Sequence, residues 1–124
     1  MKKETILVVG ASANCEKYGF VIMDNLLKRG FDTIPINPKE EKILCVKAFK
    51  TITEYVKANP EKKIDWVDFV LPPAVAYKIL PEIKSLKIKR VWFQPGSESD
   101  IAIEYCKKNN IRCVHHACIM ANYE

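Results

Sequence analysis

Two groups of residues in this chain have the types and spacing for chemistry: a glycine-led loop with lysines nearby, and a scatter of thiols and imidazoles. The loop is Gly10-Ala11-Ser12 in the stretch ILVVGASANCEKYGF, residues 6–20, where four apolar residues run into a turn and helical spacing follows. Backbone N–H groups at such a strand-to-helix turn hold phosphate, and GxGxxG is the dinucleotide form of the device. Here Gly10 takes the first position, Ser12 the second and Cys15 the third. Gly10 suits the tight turn, and Ser12 offers a hydroxyl and an N–H. Cys15 would hold a helix further from the strand than glycine does, and Gly19, one turn later, is placed to restore close packing.

A second loop narrows the ligand. The acid that would bond a ribose 2′-hydroxyl at the end of the second strand is replaced by Asn37, followed by Pro38 and Lys39. A lysine there welcomes phosphate, so the pattern favours a nucleotide with a phosphate near its ribose, NADP or coenzyme A over NAD. Lys17 and Lys39 are the charge partners.

The thiols and imidazoles carry less. Cys15, on the phosphate loop ahead of a helix and beside Lys17, has the setting for a mixed disulfide with a coenzyme A thiol, against the plainer reading of a small residue filling loop space. Cys113, His115, His116 and Cys118 are all metal-ligand types, but strand alternation sends the first two to one face and the last two to the other, and CxHHxC matches no common zinc spacing. No acid is placed in sequence to orient either histidine, so neither a metal nor a catalytic residue is expected.

These residues must be positioned by a chain of 124 residues, 48% hydrophobic, which suits one domain over 1–124. The charge of +5 is spread in pairs such as Lys28-Arg29, Lys62-Lys63, Lys89-Arg90 and Lys107-Lys108, which complement helix C-termini rather than form a nucleic-acid footprint. Five scattered cysteines without CxxC spacing point to reduced thiols. The longest apolar runs fall far short of the roughly 20 residues a spanning helix needs, and Met1-Lys2-Lys3 leads straight into a strand, so a cytoplasmic protein without a membrane partner is expected.

Strand and helix patterns alternate along the chain. Residues 5–9 form a continuous apolar run suited to a strand buried on both faces; a helix is expected over 18–29, ended by Gly30; and 32–36 is a second strand closed by Asn37-Pro38. A short strand over 43–48 precedes Thr51 and Glu54, spaced as a capping box, and a helix to about Ala58. Residues 64–71 read as a strand, and the helical spacing from Val75 to Ile83 contains Pro81, which should kink or restart it. Strand 89–93, a helix started by Ser97 and stopped at Asn109-Asn110, and strand 111–114 complete the pattern. The fold class is α/β: a single Rossmann-like domain, a doubly wound, mainly parallel sheet of about five or six strands with helices on both faces. Ligands of such sheets bind at the carboxyl ends of the strands, where the loops at Gly10, Asn37, Leu71 and Gln94 lie.

Taken together and in order, Gly10-Ala11-Ser12, Lys17-Tyr18-Gly19, Asn37-Pro38, Pro72-Pro73, Trp92-Phe93-Gln94-Pro95-Gly96 and Cys118-Ile119-Met120 resemble the small stand-alone CoA-binding proteins, which are similar to the first domain of the succinyl-CoA synthetase α subunit. The resemblance covers nearly the whole chain. It implies coenzyme A, or an acyl-CoA, as ligand, with Gly10, Ala11, Ser12, Lys17 and Tyr18 near its phosphates, and Asn37, Pro38 and Lys39 near the ribose phosphate or adenine. Leu71, Pro72, Pro73, Gln94 and Gly96 would line the rest. The histidine that carries phosphate in the synthetase lies in a second domain, so a carrier, sensor or accessory protein without its own catalysis is expected, with a homodimer or a protein partner as its assembly. Relatives have glycine where this chain has Cys45, which bears on the turn near that residue. The alternatives are an NADP-dependent oxidoreductase subunit and a ligand-free interaction scaffold.

Overall fold

Thr5–Val9 is buried at every position and forms β1. A strand with no polar alternation needs cover on both faces, and here Ile6 and Val8 meet one helix layer while Leu7 and Val9 meet the other. The computed structural model describes residues 4–122. After β1 come α1 (Tyr18–Lys28), β2 (Asp32–Ile36), β3 (Lys42–Ile43), β4 (Val46–Lys47), α2 (Ile52–Ala58), β5 (Trp66–Phe69), α3 (Pro73–Ser85), β6 (Arg90–Phe93), α4 (Asp100–Lys108), β7 (Arg112–Val114) and α5 (Ile119–Asn122).

The main sheet runs β2-β1-β5-β6-β7, with every neighbouring pair parallel. Phe49 adds one parallel bridge to Ile36 at the outer side of β2, a remnant of a sixth strand where the Rossmann order places one. The chain winds outward from β1 to β2 and Phe49, then returns to β5 and winds the other way. That reversal puts the binding crevice at the carboxyl ends of β1 and β5.

Two layers of apolar side chains hold the helices in place. Ile22, Met23 and Leu26 of α1 and Ile119 of α5 pack on Ile6, Val8, Trp66 and Trp92. On the opposite face Ile52 and Tyr55 of α2, Ala76, Leu80 and Ile83 of α3, and Ala102 and Cys106 of α4 cover Leu7, Val67, Phe69, Val91 and Phe93. Each large aliphatic side chain so buried contributes about 1.5–3 kcal/mol, which fixes the helices, and hence the loops they begin from, against the sheet.

Several local expectations change. Residues 43–48 are a two-stranded hairpin rather than one strand: Ile43 pairs with Val46 antiparallel, and Leu44 and Cys45 turn between them at φ 51° and 66°. Two successive left-handed residues make a tight hairpin turn whose usual signal is Asn-Gly, and Leu-Cys carries no such signal. The strand over 64–71 is trimmed to 66–69. Helix α3 continues through Pro81 without restarting. The cap of α4 is Ser99, whose Oγ accepts from the Ala102 N–H at 3.2 Å, whereas Ser97 is buried and its Oγ accepts from the Leu71 N–H at 3.0 Å. Thr51 caps α2 as the box requires, but the Glu54 carboxylate reaches back to the Lys50 N–H rather than to that of Thr51.

Candidate functional site

Glycine contacts set the floor of the crevice. Gly10 has φ 103°, and a Cβ there would run into the Val70 carbonyl, so the loop after β1 touches the chain leaving β5. A Cβ on Gly19 would strike the Gly10 carbonyl oxygen, so the first turn of α1 presses onto the same loop. The close helix approach is therefore made by Gly19, while Cys15 stands exposed on the preceding turn.

Helix α1 begins without a side-chain cap and without an acidic residue in its first turn; Lys17 is the cap position, in extended conformation. The unpaired N–H groups and the positive end of the helix dipole, about half an elementary charge, thus stay available. They open into a cavity of ≈ 610 Å³ lined by Gly10, Ala11, Ser12, Lys17, Tyr18, Gly19, Asn37, Pro38, Lys39, Val70, Leu71 and Pro72. Lys17 and Lys39 are exposed, and among the described residues neither is paired with a carboxylate. A phosphate placed here meets helix N–H groups and two cations together.

Asn37 is a strut of this cavity. Its Nδ2 donates to the Ala11 carbonyl at 2.8 Å, and its Oδ1 accepts from the N–H groups of Lys39 and Glu40 at 2.7 and 3.0 Å. One side chain thereby fixes the loops after β1 and β2 relative to each other and turns Pro38 and Lys39 toward the opening. The Ser12 Oγ accepts from the Asn14 N–H at 3.0 Å, leaving its hydroxyl hydrogen to donate.

A smaller and more apolar cavity of ≈ 230 Å³ shares Gly10, Pro38 and Leu71 with the first and extends between Val9, Ile36, Ile52, Val75 and Ile79, with Lys50, Thr51 and Glu82 at its polar edge. Sequence reasoning missed these residues because each reads as ordinary strand core or helix face; nothing local marks them.

Three anticipated residues lie elsewhere. Pro73 opens α3 behind Pro72, and Gly96, at φ 94°, makes the turn after β6; neither lines the two cavities. Gln94 is fully buried. Its Oε1 accepts from the Ile119 N–H at 3.0 Å, and its Nε2 lies 3.2 Å from the Cys118 Sγ and 3.4 Å from the Tyr18 Oη. Tyr18 Oη and Cys118 Sγ are 2.7 Å apart, so the cavity wall at Tyr18 leads directly into this polar cluster. Burial and the neighbouring Cys118 push the Tyr18 phenol up to about 12, which keeps it a donor.

Beside the cluster stands Asp68 of β5, fully buried, with neither carboxyl oxygen hydrogen-bonded among the described residues. Burial, reinforced by the charge of Cys118, raises its pKa well above the usual carboxylate range and so favours the protonated acid. A polar residue inside an otherwise apolar buried strand is a signal the sequence did offer. The other metal-ligand types separate: His115 and His116 pair through their Nδ1 atoms at 2.6 Å, His116 Nε2 lies 4.0 Å from Glu98, and Cys118 faces Tyr18. No group of three or more His, Cys, Asp or Glu is placed to hold a metal among the described residues, and none of their helices is long and apolar enough to cross a membrane.

A further cavity of ≈ 630 Å³ opens at the amino ends of the strands, rimmed by Lys62, Lys63, Lys87, Lys89 and Arg90. Much of its charge is neutralised: Lys62 pairs with Asp32, Lys63 with Asp65, and Arg90 with both Asp65 and Glu4. It also lies at the wrong end of the sheet for a switch-point ligand, so the cavity at Gly10 is the stronger site.

Comparison with known proteins shows the family of the chain. The family model described as a CoA binding domain matches residues 4–124. A conserved hypothetical protein from Pyrococcus furiosus superposes with a TM-score of 0.87 at 33% identity, covering 95% of this chain and 97% of that one. The ADP-forming acetate–CoA ligase of Methanocaldococcus jannaschii is 27% identical over 94% of this chain, which spans 17% of the ligase. A dinucleotide-forming acetyl-coenzyme A synthetase from Ca. Korarchaeum cryptofilum shares the fold, with a TM-score of 0.73 at 22% identity over 89% of this chain and 25% of its own.

Proposed function

The chain belongs to the CoA binding domain family, and from that premise we propose that it binds coenzyme A or an acyl-CoA, non-covalently, across the carboxyl ends of β1, β2 and β5. The observation that carries this reading is the uncapped start of α1 opening, with Lys17 and Lys39, onto the ≈ 610 Å³ cavity at the sheet's switch point. The diphosphate lies against the N–H groups of Ala11 and Ser12 and the first turn of α1, with Lys17 as counter-charge, while the Gly10 N–H is held by the Ile36 carbonyl at 3.2 Å. The ribose phosphate meets Lys39. The adenine ring fills the smaller apolar cavity between Pro38, Leu71 and Val75, and the pantetheine arm runs past Pro72 and Tyr18 toward α5.

Binding, rather than bond-breaking, is the function these residues serve: Asn37 and the glycines hold the loops, the lysines neutralise phosphate, and the prolines shape the walls. The chain acts as a carrier, sensor or accessory protein, delivering or withholding coenzyme A for a partner. The likeness to one segment of an acetate–CoA ligase supports that role.

Isothermal titration of nucleotide-stripped protein with coenzyme A, with NAD and NADP as competitors at moderate and high salt, tests the reading. Micromolar binding that weakens with salt and with Lys39→Ala is the expected result. Binding of NADP with none of coenzyme A would replace this reading with that of an oxidoreductase subunit.

A further inference from the structure

We propose that Cys118 forms a mixed disulfide with coenzyme A, the sulfur end of the ligand entering the polar cluster between Tyr18 of α1 and the start of α5. The inference rests on the coenzyme A reading above and extends it to the thiol end of the ligand.

Several hydrogen-bond donors converge on the Cys118 sulfur among the described residues. Tyr18 Oη lies 2.7 Å away and Gln94 Nε2 lies 3.2 Å away. The Gln94 carboxamide cannot turn freely, because its oxygen accepts from the Ile119 N–H, so its nitrogen is held toward the sulfur. The Met120 and Ala121 N–H groups also favour its thiolate form. Burial by itself would raise this thiol, but the hydrogen bonds from Tyr18, Gln94 and the two backbone groups outweigh it and draw the thiol below its ordinary value. Trp92 Nε1 donates to the Ala117 carbonyl at 2.7 Å and pins the residue before the cysteine to β6.

Access and an unfilled polar group point to a ligand. Tyr18 lines the large cavity and is 42% exposed, so the sulfur stands one side chain from the proposed path of the pantetheine arm. Asp68 shares the α1–α5 face of the sheet with Trp66, two positions before it, by strand alternation. Its fully buried carboxyl has no partner among the described residues, and it interacts electrostatically with both Cys118 and Tyr18. The raised pKa of Asp68 disfavours a second negative charge beside the thiolate, and its carboxyl, unpaired among the described residues, is completed by a ligand group entering the cluster. Cys15, the thiol favoured by its place on the phosphate loop, lines neither ligand cavity.

The oxidant is the coenzyme A homodisulfide. The Cys118 thiolate attacks one sulfur; the Cys118–S bond forms as the S–S bond of the homodisulfide breaks; and the departing coenzyme A thiolate takes a proton from water. Electrons balance without a further reductant or oxidant. Hydrogen bonds from Tyr18 and Gln94 favour the thiolate form of the attacking sulfur, and the bound nucleotide end supplies the selectivity for coenzyme A over other disulfides.

The test incubates the full chain with coenzyme A homodisulfide or oxidised glutathione at equal concentration, follows intact mass, and maps the adduct by peptide digestion of the unsubstituted protein. One coenzyme A per chain on Cys118, formed at least about tenfold faster than the glutathione adduct, is expected, with Tyr18→Phe slowing it about threefold or more. An adduct on Cys15 or Cys113 instead, or equal rates for the two disulfides, overturns the proposal. Titration of reduced Cys118→Ala with coenzyme A separates the two claims. Binding retained while the Cys118 adduct never forms sinks only the disulfide; absence of binding in both this variant and the unsubstituted protein sinks the coenzyme A reading itself.

Discussion

The Asn37 carboxamide ties two loops across the site, donating to the Ala11 carbonyl at 2.8 Å while accepting from the Lys39 N–H at 2.7 Å. Its place is where dinucleotide enzymes carry a ribose-binding acid, and it acts here on the protein's own backbone. Asn37→Ala leaves partners of both ends unpaired, and should lower unfolding free energy by about 1–3 kcal/mol and weaken coenzyme A binding about tenfold. Urea unfolding and titration calorimetry read the two effects separately.

Lys39 stands at the end of that strut, exposed and without a carboxylate partner among the described residues. Lys39→Ala should weaken coenzyme A about 3- to 30-fold at low salt yet leave the affinity for 3′-dephospho-coenzyme A nearly unchanged. Equal losses for the two ligands would place the lysine at the diphosphate instead.

Gly19 presses on the Gly10 carbonyl with no room for a Cβ. Gly19→Ala must push α1 off the loop, and because the obstacle is backbone it cannot simply rotate away. A loss of about 2 kcal/mol or more in urea unfolding is expected, with coenzyme A binding abolished. Gly30→Ala provides the contrast: it meets nothing within 4 Å but sits at φ 90°, so it should cost stability alone.

Cys45 at φ 66° and Lys87 at φ 60° occupy left-handed positions that glycine adopts without strain. Lys87 follows α3 in a C-terminal motif in which Ile88 N–H returns to the Ile83 carbonyl at 3.1 Å. Cys45→Gly and Lys87→Gly should each stabilise by roughly 0.5–1 kcal/mol, measured by chemical unfolding under reducing conditions.

Asp68 makes stability fall as pH rises. Its folded-state pKa is raised, so above the unfolded value of about 3.9 the unfolded chain gives up a proton that the fold retains. Each pH unit in that window costs about 1.4 kcal/mol until the folded group also ionises. Asp68→Asn removes this slope, so relative to the unsubstituted protein it should gain stability steadily from pH 4 toward neutrality. A difference between the two proteins that stays flat with pH would mean that Asp68 is ionised in the fold.

How far the sequence could be read depended on the range of each interaction. Gly30 and Asn110 were legible as helix stops because the left-handed turn involves only neighbours: Phe31 N–H returns to the Leu26 carbonyl and Ile111 N–H to that of Cys106. The buried run at β1 and the proline stop at Asn37-Pro38 are local in the same way. Gly10, Ser12, Lys17, Lys39 and Pro72, which line one cavity, stand in or next to short strand-ending loops whose residue types the sequence displays locally. Ser97 shows the limit, since its neighbours Glu98 and Asp100 made it read as a helix cap, yet its hydroxyl serves Leu71, 26 residues away.

The sequence by itself determined the alternation of strands and helices, the parallel sheet buried on both faces, and the loops that must gather at its carboxyl end. Tertiary structure alone decided that Gln94 turns inward to hold Cys118, that Tyr18 meets that sulfur from 100 residues away, and that Asp68 lies beside them without a partner among the described residues. Those pairs are set by the parallel register, which aligns Val8 with Asp68 and Asp68 with Trp92. Periodicity states which residues face a core, but only the assembled sheet states which of them face each other.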